Sequence, residues 1–180
     1  VGMRCLAVEY GDIWSLCTAL SIAAAIGLGH LHGLQRGYAR AHLVGFYLVI
    51  TGCGFAGARL GFGLVHWTHY QAHPWELLAW TPGLVIQGAL LGGLLGAVPY
   101  VHWLGYDKWR AADDAVPFVT LGQAVGRMGC FLGGCCYGEP TSLPWGCRFP
   151  EIGDGLTPRH PTQIYEAVGL LGLFGVLYRI

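Results

Sequence analysis

The run from Pro82 to Trp103 reads PGLVIQGALLGGLLGAVPYVHW, with no Lys, Arg, Asp or Glu. It is about as long as an α-helix must be to cross the hydrocarbon core of a bilayer, roughly 20 residues. Similar apolar runs lie near Ile13–Leu28, Ala41–His66, Val116–Cys136 and Pro161–Leu177. Lipid offers no partner to backbone N–H and C=O groups, so such runs must satisfy them internally as helices. The pattern predicts an all-α polytopic transmembrane helix bundle of about five spans, forming one transmembrane domain over residues 1–180.

Composition agrees. Of the 180 residues 54% are hydrophobic and only 11% charged, and 30 are glycine. The mean hydropathy is positive, +0.49. Ten basic residues balance ten acidic ones, so there is no electrostatic footprint for nucleic acid. No basic stretch followed by a short apolar run and a small-residue cleavage site is visible, so the first apolar segment is expected to be a retained helix.

Lysine and arginine are retained on the cytoplasmic side of short loops. Arg36 and Arg40 follow the first span, Lys108 and Arg110 the third, and Arg179 ends the fifth. These ends are expected to be cytoplasmic, which makes the N-terminus non-cytoplasmic. The stretch His66–Thr81 lacks Lys and Arg and carries Trp67, Tyr70, Trp75 and Trp80, as expected of a segment at the outer interface. Tyr137–His160 then lies outside as well, although Arg148 and Arg159 depart from the rule.

Within the spans, small residues recur at a spacing of four: Gly57 and Gly61; Gly88, Gly92 and Gly96; Gly122 and Gly126. This spacing lets helix backbones approach closely and is read as packing. Two arginines interrupt the apolar runs, Arg59 in Gly-Ala-Arg-Leu-Gly and Arg127 in Val-Gly-Arg-Met-Gly. A centred arginine costs roughly 2.5–3.5 kcal/mol on insertion scales, which something must offset. One account is snorkelling or a structural pair with an acid such as Glu166. The other is a phosphate or carboxylate site, since a guanidinium presents a rigid fork of donors to oxyanions. Asp113 and Asp114 open the fourth span, where acids suit a helix N-terminus.

Seven cysteines are many for such a chain; Cys5, Cys17 and Cys53 are scattered, while Cys130, Cys135, Cys136 and Cys147 are close in sequence. The close set admits a disulfide, a metal site with His160 available, a reactive thiol beside Arg127, or plain packing of small residues. The run Arg159-His-Pro-Thr-Gln-Ile-Tyr-Glu166 opens the fifth span. Proline suits a first helical turn, and His160 and Glu166 offer either acid and base groups or interfacial hydrogen bonds.

Four features together resemble the bacterial prolipoprotein diacylglyceryl transferases. They are Gly57-Ala-Arg-Leu-Gly61, the Asp113–Pro117 run, Gly126-Arg-Met-Gly-x-Phe131 continuing to Gly138, and Arg159-His-Pro-Thr-Gln-x-Tyr-Glu166. The resemblance implies a bacterial plasma-membrane enzyme with its site facing the outer or periplasmic side. It would move the diacylglyceryl group of phosphatidylglycerol onto the lipobox cysteine of a lipoprotein precursor, releasing glycerol phosphate. No cofactor or metal is implied.

Arg127 matches the signature arginine that holds the phosphate, Arg59 the arginine of the second span, Gly138 the closing glycine and Asp113 an acid on the same helix. Arg159 joins these as a substrate-binding position. The family's signature asparagine falls at Cys130 and its glutamate at Cys135; its histidine of the third span falls at Gln87 and its first-span tyrosine at Trp14. The family's later helices are absent from this chain. On this basis Arg127, Cys130, Cys135, His160 and Glu166 are the catalytic candidates, and Gln87 and Trp14 line the substrate. Two other functions fit the same residues: a membrane enzyme using the cysteine cluster on a lipid or thiol substrate, and a non-enzymatic protein binding an anionic lipid or a metal.

Overall fold

The computed structural model describes residues 3–4, 10–78, 85–149 and 157–179, with side chains from residue 16 onward. The side chains of Cys5 and Trp14, and Trp80 with Thr81, lie outside the described residues. The elements run β1 (Met3–Arg4), α1 (Tyr10–Gln35), α2 (Arg40–Val65), α3 (Trp67–Tyr70), a 3-10 turn (Pro74–Leu78), α4 (Ile86–Trp103), α5 (Lys108–Leu132), β2 (Cys147–Arg148) and α6 (Thr162–Leu177). The five long helices fall on the five apolar runs.

Among the described residues, Leu16–Gln35, Arg40–Val65 and Lys108–Leu132 are long and apolar enough to cross a membrane, and Thr162–Leu177 is apolar but shorter. The 18 residues of α4 rise about 27 Å, close to the roughly 30 Å of hydrocarbon. Large apolar side chains face outward along these helices, with Leu48 70%, Leu95 75% and Trp103 79% exposed. So continuous an apolar exterior is a liability in water and the expected surface in lipid.

The chain divides into two compact units, residues 32–112 and residues 1–31 with 113–180. In the first of these, α2 and α4 pack backbone to backbone. A Cβ at Gly57 would lie 2.8 Å from the Cα of Gly92 and collide with the Gly88 carbonyl, and one at Gly96 would meet the Cys53 sulfur at 2.7 Å. The glycine spacing read from the sequence is therefore the contact surface of the two helices. Tyr100 donates its hydroxyl hydrogen to the His42 carbonyl (3.2 Å), and His42 Nδ1 meets the Tyr106 hydroxyl at 2.9 Å.

In the other unit, α1 and α5 use the same device. A Cβ at Gly129 would reach Cys17 Cβ at 2.5 Å and one at Gly122 would reach Ala25 Cβ at 3.0 Å. Ser21 donates its hydroxyl to the Gly122 carbonyl (2.5 Å), satisfying a polar group that lipid would leave unmet. Helix α5 begins earlier than its apolar residues suggest. Asp107 Oδ1 accepts the Arg110 N–H at 2.8 Å and caps the helix, so Asp113 and Asp114 sit in its second turn and do not cap it. The cause is the Lys108-Trp-Arg-Ala-Ala112 stretch, which favours helix once a capping aspartate precedes it.

Candidate functional site

The C-terminal end of α5 builds the site. Helix α5 stops at Gly134, which has φ +69°, a conformation glycine adopts without penalty. The Gly134 N–H bonds the Phe131 carbonyl (3.2 Å) and the Cys135 N–H bonds the Cys130 carbonyl (3.0 Å). This pair of bonds is the Schellman motif, which folds the second residue past the helix back over its last turn. Here it carries Cys135 onto Cys130. Cys136 follows with φ +60°, the one non-glycine residue with positive φ among those described.

The first turn of α6 clamps this loop. Thr162 donates its hydroxyl to the Cys136 carbonyl (2.8 Å), and Gln163, fully buried, donates Nε2 to the Cys135 carbonyl. Gln163 Oε1 is buried with no hydrogen-bond partner among the described residues. Gly138 fits beneath: its N–H bonds the His160 carbonyl (2.9 Å), and a Cβ there would sit 2.7 Å from Thr162 Cγ2 and 2.9 Å from His160 Cβ.

Arg127 Nε meets Glu166 Oε2 at 2.5 Å, tying α5 to α6, with the two side chains 37% and 49% exposed. Arg127 precedes Cys130 by three residues, and Gln163 precedes Glu166 by three; residues at that spacing share a helix face. One face of α5 therefore presents a guanidinium and a thiol, and one face of α6 presents a carboxylate and the amide that holds the Cys135 carbonyl.

The sulfurs of Cys130, Cys135 and Cys136 all lie within 4.8 Å of one another. They are free thiols, as are Cys17, Cys53 and Cys147, so among the described residues the disulfide alternative is not realised. Burial first, and then the hydrogen bond and charge of Cys135, push the Cys136 thiol above its ordinary range; a hydrogen bond with Cys130 and, less strongly, the Arg127 guanidinium oppose this. Arg127 by itself therefore does not make Cys136 a ready thiolate.

His160 and Arg159 belong to the wall of the site. Arg159 exchanges two backbone bonds with Cys147 (2.9 and 2.8 Å), and β2 pairs in parallel with β1. The Arg159 guanidinium donates to the Gly138 carbonyl (3.3 Å) and lies 5.0 Å from the centre of the Tyr137 ring. His160 Nδ1 meets the Tyr165 hydroxyl at 3.2 Å, and that hydroxyl accepts the Trp145 indole N–H at 2.8 Å.

Of the residues singled out from sequence, Arg127, Cys130, Cys135 and Glu166 are gathered here, with Gly138, Arg159 and His160 in the supporting loop. Arg59 belongs to the other unit. It is 8% exposed, and its Nε and Nη2 donate to the Leu77 (2.7 Å) and Glu76 (3.0 Å) carbonyls. Backbone carbonyls of the 3-10 turn take up those two donors. Gln87 is exposed in the first turn of α4 and Asp113 is exposed on α5; the Trp14 side chain lies outside the described residues. Sequence reasoning did not assign roles to Thr162, Gln163, Tyr165 or Trp145. A polar Thr-Gln pair immediately after a helix-starting proline was the available signal for the first two.

Apolar helices long enough to cross a bilayer define a membrane protein, and two of its helices carry a half-exposed arginine–glutamate pair beside a polar loop. The chain belongs to the prolipoprotein diacylglyceryl transferase family, whose model matches residues 8–180. It is similar to the phosphatidylglycerol–prolipoprotein diacylglyceryl transferase of Clostridium tetani, 36% identical over 83% of this chain and 61% of that protein. Those of Chloroflexus aggregans (34%, over 93% of this chain and 58% of that protein) and Symbiobacterium thermophilum (33%, over 96% and 68%) are similar as well. The chain spans between 45% and 68% of the length of these and the other relatives it matches.

Proposed function

We propose that this chain transfers the diacylglyceryl group of phosphatidylglycerol to the cysteine thiol of a lipoprotein precursor, as its relatives' names describe. The observation that carries this reading is the Arg127–Glu166 pair. A guanidinium has five N–H donors, and Glu166 engages it through Nε, which fixes the fork while leaving the side chain partly exposed to a headgroup.

In this mechanism the phosphate of the lipid lies against Arg127. The acceptor thiolate forms a carbon–sulfur bond to the glyceryl carbon, and the carbon–oxygen bond to phosphate breaks with its electron pair going to oxygen. Glycerol phosphate leaves. Arg127 stabilises the charge that develops on the departing phosphate, and a preorganised donor of this kind is worth about 2.7–4 kcal/mol. Glu166 and His160 are the groups that can accept the thiol proton; the Tyr165 hydroxyl on Nδ1 orients the imidazole and leaves Nε2 as its second nitrogen. Arg59 is read as structural, pinning the 3-10 turn through two carbonyls.

The bacterial plasma membrane is the location that the family resemblance implies, and the basic residues Arg36, Arg40, Lys108 and Arg110 support a non-cytoplasmic N-terminus with the Tyr137–His160 loop on the outer side. Purified protein, phosphatidylglycerol labelled in its acyl chains and a lipobox peptide test the function. The expected product is a peptide carrying a diacylglyceryl thioether, seen by mass. Its absence, with an authentic transferase active under the same conditions, refutes the reading.

A further inference from the structure

We propose that Cys130, Cys135 and Cys136 bind one zinc ion through three thiolates, leaving its fourth position open. The three sulfurs already lie within 4.8 Å of one another. Zinc–sulfur bonds of about 2.3 Å in a tetrahedral array set neighbouring sulfurs roughly 3.8 Å apart. Each sulfur need move only about 0.5 Å inward, within the reach of side-chain torsions.

The backbone is arranged to bring them together. The Schellman bonds from Gly134 and Cys135 fold Cys135 over Cys130, and the α6 side chains of Thr162 and Gln163 hold the Cys136 and Cys135 carbonyls. Cys136 is kept at φ +60°, a conformation that costs a side-chain-bearing residue about 1–3 kcal/mol and that glycine would adopt freely. Retaining a thiol there is explained if the sulfur is a ligand. Gln163, on the same wall, has a buried Oε1 with no hydrogen-bond partner among the described residues. Cys136 is exposed, which gives the ion an entry path.

Charge and ligand number choose the ion. Soft thiolates select zinc or monovalent copper, and three thiolates leave less uncompensated negative charge around a divalent ion, with Arg127 one turn away. Among the described residues no fourth His, Cys, Asp or Glu joins the group. A closed structural site needs four protein ligands, whereas three with an open position is the arrangement of a reactive zinc.

Resting on the transferase reading, that open position is where the acceptor cysteine binds. Coordination to zinc deprotonates a thiol, the proton passing to water, and supplies the thiolate that attacks the glyceryl carbon.

The test uses the full chain, purified in detergent under reducing conditions and titrated with zinc against a chromophoric indicator. One zinc per chain is expected, protecting Cys130, Cys135 and Cys136, but not Cys53, from iodoacetamide as mapped by mass spectrometry. Cobalt in its place should give a thiolate charge-transfer band. Serine at each of the three positions should weaken binding roughly 100-fold or more, since losing even a group that only hydrogen-bonds a ligand costs about 10–100-fold; Cys53→Ser should leave it unchanged. Reduced, folded protein that takes up no zinc, or zinc uptake that survives all three substitutions, overturns the site. The protection pattern in the unsubstituted protein decides the matter if a serine variant fails to fold. Zinc bound by these sulfurs with no thioether formed by the loaded protein would keep the site and refute the transferase reading, together with the role of the open position.

Discussion

Replacing Arg127 by lysine keeps the positive charge and removes the planar fork. The structure sets two very different magnitudes for the consequences. The Arg127–Glu166 contact joins side chains that are 37% and 49% exposed, and pairs so exposed contribute about 0–1 kcal/mol to stability. Lysine can still reach a carboxylate, so the thermal midpoint should move by no more than about 2–4 °C for a chain of this size. Transfer is another matter, because only a fork can hold two phosphate oxygens as charge builds on them. A loss of about 2.7–4 kcal/mol, or 10²–10³ in rate, is expected. The assay measures thioether formation from labelled phosphatidylglycerol and a lipobox peptide in the same detergent preparation used for unfolding. A variant that stays folded and transfers within about threefold of the parent would refute the phosphate role of Arg127. Equal losses of stability and activity would show the pair to be a structural tie.

Gly138→Ala should destabilise by about 2–4 kcal/mol, because the new methyl overpacks against Thr162 and His160 and displaces the hydroxyl that bonds the Cys136 carbonyl; thermal unfolding reads this directly. Gly92→Leu should separate α2 from α4 and lower the midpoint far more than Gly52→Leu, since a Cβ at Gly92 meets Gly57 Cα at 2.9 Å while one at Gly52 meets nothing within 4 Å. In metal-free protein the raised Cys136 thiol stays protonated where an ordinary thiol begins to ionise. Its alkylation should therefore lag that of a free cysteine near pH 8 and catch up only as the pH rises through its own titration; equal rates at pH 8 would contradict the burial argument.

Hydropathy was enough to find the helices because a bilayer leaves an apolar run no other way to satisfy its backbone, and loop glycines and charges marked their ends. It misplaced the start of α5, where amphipathic residues 108–112 extend the helix beyond its apolar part and Asp107, not Asp113, supplies the cap. The glycine ladders were readable as packing, and the geometry at Gly57, Gly92 and Gly122 bears this out. The cysteines were not readable. Their spacing, five residues and then one, matches no familiar ligand pattern; what gathers them is a backbone bond from Cys135 to Cys130, which depends on where the helix stops. The Gly133-Gly134 pair was the cue for that stop. Gln163 escaped notice because a glutamine at a helix start is ordinary until its burial is known, and the carbonyls that receive Arg59 come from a turn with no apolar period to announce it.

The Ser21 hydroxyl and the Gly122 carbonyl it meets are separated by 101 residues of chain. At ordinary synthesis rates of about 5–20 residues per second, roughly 5–20 s pass between the making of the donor and the making of its acceptor. The α2–α4 ladder closes over a much shorter stretch and can zip as soon as α4 emerges. Through that interval α1 must be accommodated before α5 exists, and its small-residue face of Cys17, Ser21 and Ala25 stands ready for whatever helix arrives. A later-made helix thus completes an earlier one, and synthesis halted between them would leave that small-residue face without its partner helix.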